Sequence, residues 1–224
     1  MEKMLMGMAK TMWMPSLLMG LAMVVIAFLV VRNTAQTSVA FFFSGAKAIR
    51  EGTDPTYIAA HRSFQTTFAW IPGFKFLGMG LLFSAITFNL ANIIGALREG
   101  GAKIQKALGV EVKAMAKPVI ASLFPMAMML GLLTLIVAFI ISLNLAGQAS
   151  SYFNNPIEDV LDAAQSNSAL SGQLAQIQAT KAWLEPFKFV GVALLLTGIS
   201  LALATIRKIL QFQAKRLAEI AESK

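Results

Sequence analysis

The chain carries one histidine, His61, and no cysteine among its 224 residues. These two counts exclude structural disulfides, thiolate metal sites, cysteine nucleophiles and any multi-histidine centre within one chain. Glu51 and Asp54 are the acids nearest His61 in sequence. A metal needs several convergent ligands, so His61 reads as a packed, hydrogen-bonded residue rather than a ligand or a proton switch. Methionine is the other soft donor, and eight of its 13 copies fall in the first 23 residues. Thioethers suit Cu(I), which makes Met4, Met8 and Met12, with His61, the candidate metal ligands. The stronger reading is adaptable packing, because these methionines lie within or beside an apolar window. No Ser/His/Asp arrangement, phosphate loop, zinc spacing or haem-ligand pair can be assembled. The expectation is no catalytic residue, no cofactor and no enzyme.

The elements that must hold these residues are set by composition. Hydrophobic residues make up 57% of the chain and charged residues 13%. A soluble domain carries about 25% charged residues to wet its surface, so much of this surface must face something other than water. Between lysines and arginines lie four long uncharged windows, with apolar parts at about 12–31, 76–97, 118–145 and 189–206. A helix needs roughly 20 apolar residues to cross a hydrocarbon core of ~30 Å. These runs also lack the alternation of a barrel strand. The first is too long for a signal-peptide core and ends in Arg32-Asn33 rather than a small-residue cleavage site, so it reads as a retained helix.

No ionisable side chain interrupts any span. Proton relays, voltage sensors and ion-coupled transporters keep such groups at membrane depth. The polar intramembrane candidates are neutral, chiefly Asn89, Asn92 and Asn144 with several Ser and Thr. They suit hydrogen bonds across helices more than a pore. Gly78 and Gly80 in the second span, with Gly191 and Gly198 in the fourth, offer small surfaces for close helix approach.

Charge sets orientation. With the N-terminus inside, the segments 1–10, 98–117 and 207–224 hold 12 Lys/Arg in 48 residues, against 7 in 87 for the outer segments 32–75 and 146–188. The positive-inside rule then places both termini in the cytoplasm, with the plasma (inner) membrane as the expected location. The net charge of +8 sits at helix ends beside anionic headgroups, so nucleic acid is not an expected partner.

The chain also repeats itself. Residues 65–97 align with 178–210 at 15 of 33 positions, including Trp70/Trp183, Lys75/Lys188 and Gly78/Gly191. The upstream helices match more weakly, at Gly20/Gly131, Ala27/Ala138 and Asn33/Asn144. Shared apolar composition does not align a Trp, a Lys and the pair Gln65/Gln178. The pattern predicts an all-α integral membrane protein, its four transmembrane helices forming two tandem parallel helix hairpins. The first repeat covers 1–117, with a cytoplasmic linker at 98–117. The second covers 118–224, with a cytoplasmic tail at 207–224. The relating axis would lie along the membrane normal.

Both outer segments carry helix signals. Asp54-Pro55 and Asn155-Pro156 each read as an N-cap followed by Pro at the first helical position, with Glu158 completing a capping box. Apolar seams follow at heptad spacing, on Tyr57, His61, Phe64, Phe68 and Ile71 and on Leu170, Leu174, Ile177, Lys181 and Leu184. They predict amphipathic helices that run down into the second and fourth spans. Trp70 and Trp183 would lie at the outer interface, with Lys75 and Lys188 snorkelling there. Gly100-Gly101 is expected to stop the second helix, a short surface helix to follow within 102–116, and Pro125 to bend the third.

The functional expectation is a non-catalytic accessory subunit that packs against other integral membrane subunits and lipid, within a hetero-complex that allows homo-oligomeric symmetry. The alternatives are a small oligomeric facilitator for neutral solutes and a copper-handling protein using the N-terminal methionines.

Overall fold

The computed structural model describes residues 2–43, 53–113, 119–163 and 169–222. Within them the chain is helical: α1 (Glu2–Phe43), α2 (Pro55–Ala107), α3 (Ile120–Tyr152), α4 (Ile157–Ala163) and α5 (Ala169–Glu222). The four long helices, α1, α2, α3 and α5, are each long and apolar enough to cross a membrane, as in a multi-pass membrane protein. Their lengths exceed what crossing needs. α2 has 53 residues and α5 has 54, so each is about 80 Å long at 1.5 Å per residue. Each of the four has one proline in its interior, at Pro15, Pro72, Pro125 and Pro186, and continues through it. The boundary expected between the repeats, at 117 and 118, lies outside the described residues, as does Glu51.

The helix ends explain where the chain turns. Asp54 caps α2, its carboxylate accepting the amide of Thr56 at 2.8 Å, as its sequence suggests. At the other end the glycine pair does not stop the helix. Gly100 and Gly101 are both helical, and α2 runs on to Ala107. The stop is Gly109, at φ +70°. Its amide reaches the Lys106 carbonyl at 3.1 Å and the Val110 amide reaches the Gln105 carbonyl at 3.2 Å. This is a Schellman turn, which needs the left-handed region that glycine enters freely. The separate surface helix expected after Gly101 is therefore, as far as Ala107, the last part of α2. Asn155 also differs from expectation. Its amide donates to the Tyr152 carbonyl at 2.8 Å. The turn between α3 and α4 is short, and the orphan carbonyls ending α3 take the side chain that would have capped α4.

Contacts gather into two compact units. The terminal unit comprises Met1–Gly20, Gly80–Leu132 and Gly191–Lys224; the hairpin unit comprises Leu21–Met79 and Leu133–Val190. In the terminal unit Ile94, Ala202 and Ile209 form a cluster joined by Leu90, Leu97, Phe124 and Ile206. There the Gln213 amide donates to the Leu97 carbonyl at 2.6 Å. α2 and α5 thus lie side by side and run in the same direction. In the hairpin unit a larger cluster unites Ala69, Ala138, Leu145, Ala149, Tyr152, Phe153, Val160, Ile177 and Leu184. The Tyr152 hydroxyl donates to the Val160 carbonyl at 3.2 Å, fastening α4 to the end of α3.

One rule organises α1, α3 and α5, whereas α2 is buried on more than one face. In α3 the buried positions are Ala121, Met128, Gly131, Leu135, Ala138, Ser142, Leu145, Ala149 and Tyr152, with Ala146 beside Leu145. In α5 they are Ile177, Leu184, Lys188, Gly191, Leu195, Gly198, Ala202, Thr205, Ile209 and Ile220. α1 does the same through Ala9, Gly20, Met23, Ala27, Thr34 and Phe41. Steps of three and four residues, repeating every seven, are the seam of left-handed coiled-coil packing. The opposite faces are apolar and bare, as at Met126, Met129, Leu133 and Ile140 of α3.

Candidate functional site

α3 and α5 approach each other closely along their seam in the terminal unit. A Cβ built on Gly131 would stand 2.8 Å from the Gly191 carbonyl oxygen and 2.9 Å from the Leu195 amide nitrogen. One built on Gly198 would stand 3.2 Å from the Phe124 carbonyl oxygen. At Gly131 these near atoms are backbone, which cannot retreat as a flexible side chain would, so that position admits hydrogen only; at Gly198 the facing backbone would have to give by a few tenths of an ångström. In the hairpin unit a Cβ on Gly73 would meet the Ser142 side chain, with the Phe139 Cα behind it at 3.4 Å. Of the glycines expected to pack, Gly78, Gly80, Gly191 and Gly198 are all buried. Gly131 and Gly73 were not singled out from sequence. Gly131 matches Gly20 in the repeat and Gly73 sits one residue after Pro72, so both signals were present.

The two copies place their matched aromatic and basic residues alike in part. Trp70 meets Phe74 at 5.5 Å and 74°, and Trp183 meets Phe187 at 5.9 Å and 69°. Phe76 and Phe189, which align in the repeat, touch each other at 5.2 Å. Phe68 and Lys181, also aligned, are exposed in both copies, a break in each expected seam. The lysines diverge. Lys75 is exposed, whereas Lys188 is 3% exposed. Lys188 lies on the seam four residues after Leu184, so its ammonium points inward, 5.2 Å from the centre of the Phe76 ring and 2.5 Å from Glu185. It does not snorkel outward as expected. The seam position, not the apolar border, decides its direction.

Polar groups inside the apolar windows are tied to their own helices. Ser84 donates to the Gly80 carbonyl, Thr87 to Phe83, Ser142 to Ala138 and Thr205 to Leu201, all at 2.8–2.9 Å. All four residues are buried. A hydroxyl bonded to the carbonyl one turn back has its proton committed and keeps only its acceptor lone pairs for a passing solute. Asn92 is different, its amide reaching across to the Ala9 carbonyl of α1 at 3.1 Å. Asn89 is half-buried. Asn144 is exposed and accepts from Gln148 at 3.4 Å.

His61 sits in the hairpin unit, fifteen residues before Phe76 and so outside the apolar span. Its ring stacks on Phe41 at 5.5 Å and 8°, with Phe64 and Phe153 edge-on at 5.1 and 4.9 Å. Nε2 lies 3.4 Å from the Gln65 amide. Nδ1 is buried without a hydrogen-bond partner. Burial among aromatics disfavours the charged ring and holds its pKa below the ordinary histidine value. Beside it the Arg62 guanidinium donates to Asn154 at 2.6 Å, linking α2 to the turn after α3. The side chains of Met4 and Met8 lie outside what the structure describes, and Met12 is exposed. Among the described residues no three His, Cys, Asp or Glu come together as a metal would require. No family model, no curated protein and no solved structure matches this chain, so its function rests on its own residues.

Proposed function

We propose that the chain is a non-catalytic subunit of a larger integral membrane complex, built as two tandem helix hairpins with both termini on the cytoplasmic side of the plasma (inner) membrane. The observation that carries this reading is the fate of the buried hydroxyls. Ser84, Thr87, Ser142 and Thr205 each turn back to their own helix. What the four helices present outward is apolar, and α1 most of all, with 17% of its most apolar stretch buried. A helix so thinly held by its own chain finds its remaining contacts in lipid or in neighbouring subunits, and transmembrane association of that kind is driven by packing. The repeat finds support in the matched Trp–Phe pairs, the Phe76–Phe189 contact and the common direction of α2 and α5.

The test is purification from native membranes in mild detergent with identification of the proteins that co-migrate. Stable recovery with defined integral membrane partners supports the subunit. The purified chain alone, reconstituted into liposomes, is expected to pass neither ions nor small neutral solutes. Saturable flux lost on Asn89→Leu and Asn92→Leu would replace the subunit by a facilitator.

A further inference from the structure

Resting on the reading that the chain spans a membrane, we propose that a groove between α1 and α2 in the terminal unit seats the headgroup of one phosphoethanolamine phospholipid, its phosphate on Lys10 and its ammonium on Glu99. The groove has a volume of about 380 Å³, within the range of about 300–1,000 Å³ typical of ligand pockets. Its walls are small. Gly7, Ala91, Gly95 and Ala96 line it, and the Cβ position of Gly7 meets nothing within 4 Å. The bond from Asn92 to the Ala9 carbonyl, at 3.1 Å, fixes the level of α1 against α2.

Three arguments select the occupant. The first is depth. Lys10 immediately precedes the first apolar window and Glu99 follows the second by two residues, so both sit where hydrocarbon gives way to headgroups. The second is direction. Side chains tilt toward the N-terminus of their helix, and α1 and α2 run oppositely here. Lys10 therefore leans toward the helix ends and Glu99 leans back toward Lys10, converging over the groove from the two walls. The third is charge. One cation and one carboxylate at the same mouth complement a zwitterion. A purely anionic headgroup would meet Lys10 but be repelled by Glu99, and a phosphocholine ammonium has no N–H to donate to that carboxylate. A small primary ammonium next to a phosphate satisfies both. The acyl chains would continue along the bare apolar face of α1.

The test uses the full chain, purified in mild detergent, stripped of lipid, and mixed with phosphatidylethanolamine, phosphatidylglycerol or phosphatidylcholine. Native mass spectrometry then counts the lipid retained. One phosphatidylethanolamine per chain is expected, preferred over the other two by about three-fold, the scale of one exposed charge contact. Lys10→Glu should erase that preference, and Glu99→Lys should transfer it to phosphatidylglycerol. Equal retention of all three lipids, or indifference to both substitutions, overturns the proposal. Glycerophosphoethanolamine without chains, bound as well as the lipid, overturns a lipid in favour of a soluble phosphate compound. A direct Lys10–Glu99 ion pair would show as thermal stability lost in each single variant and restored in the double swap, with lipid retention unmoved. Both side chains are exposed, so the variants are expected to fold. Alkaline carbonate washing of membranes keeps the two readings apart. Release of the wild-type chain sinks the membrane reading, whereas a retained chain without lipid preference sinks only the headgroup site.

Discussion

Gly131 and Gly147 lie on the same helix, α3, and differ in one respect. A methyl group at Gly147 meets nothing within 4 Å, whereas one at Gly131 would stand 2.8 Å from the Gly191 carbonyl oxygen and 2.9 Å from the Leu195 amide. Alanine gains about 1 kcal/mol of helix propensity over glycine at either place. That gain cancels in a comparison of the two variants, leaving the steric cost of Gly131→Ala alone. Overpacking costs about 1–3 kcal/mol, and two of the near contacts are backbone atoms of a long helix, so the upper part of that range applies, about 2–3 kcal/mol. For a chain of this size 1 kcal/mol moves the thermal midpoint by about 2–4 °C. Gly131→Ala should therefore melt about 4–12 °C below Gly147→Ala, read by circular dichroism or by fluorescence-detected size exclusion in one detergent. Equal midpoints would mean that α3 and α5 do not cross at Gly131 and Gly191, and the seam between them would have to run elsewhere.

Four further outcomes follow from the same geometry. Lys188→Met should leave stability unchanged or raise it, because the buried ammonium gives way to an apolar side chain while Glu185, 54% exposed, keeps its water, whereas Lys188→Glu should lower stability by about 3 kcal/mol by burying an unpaired carboxylate beside Glu185; exposed Lys75 should tolerate either change, and equal responses at the two lysines would refute the burial difference. Asn92→Leu removes the bond to Ala9 and should cost about 0.6 kcal/mol, the average for polar contacts between membrane helices; a loss several times larger would show that it does more than join α1 to α2. Tyr152→Phe should cost about 1 kcal/mol and speed proteolysis within α4, and unchanged cleavage there would show that the Val160 contact does not hold that helix. His61 binds its proton less readily folded than unfolded, so between its lowered pKa and about 6.5 the unfolded chain carries more protons and stability falls as pH falls; the wild-type midpoint should drop between pH 7.5 and 5.5 relative to His61→Phe, and parallel profiles would refute the effect of burial.

The sequence disclosed the helices more fully than the faces they use. Uncharged windows and helix signals located α2, α3 and α5, and the outer heptads placed Phe64, Ile71, Ile177 and Leu184 inward. Within the apolar windows the seam was hidden, because lipid and protein interior are equally apolar and hydrophobicity offers no contrast between Leu133 outside and Leu135 inside. The contrast that survives is size, as at Gly131, Ala138, Gly191, Gly198 and Ala202. Gly101 shows the cost of reading glycine by one role. A Cβ there would stand 2.6 Å from the Gln213 amide, so the glycine makes room for a neighbour instead of ending a helix. Lys188 was misdirected for a related reason. Proximity to an apolar border suggests snorkelling, but a seam that runs past the border carries whatever residue stands on it into the bundle.

The length of α2 has a mechanical consequence. Residues 55–75 precede its apolar span, and as unbroken helix they rise about 32 Å, roughly the thickness of the hydrocarbon itself. Where the membrane reading holds, this part of α2 is a stalk, and Asp54 and Thr56 at its head stand off from the lipid by a distance fixed in the backbone. Any subunit that engages that head is held at a set height, and one that engages the Trp70 level is held against the bilayer. Deleting seven residues from the stalk would keep the heptad phase and lower the head by about 10 Å. Deleting five would turn its face by more than a quarter of a revolution. The stalk thus acts as a ruler in which height and azimuth are set by separate arithmetic.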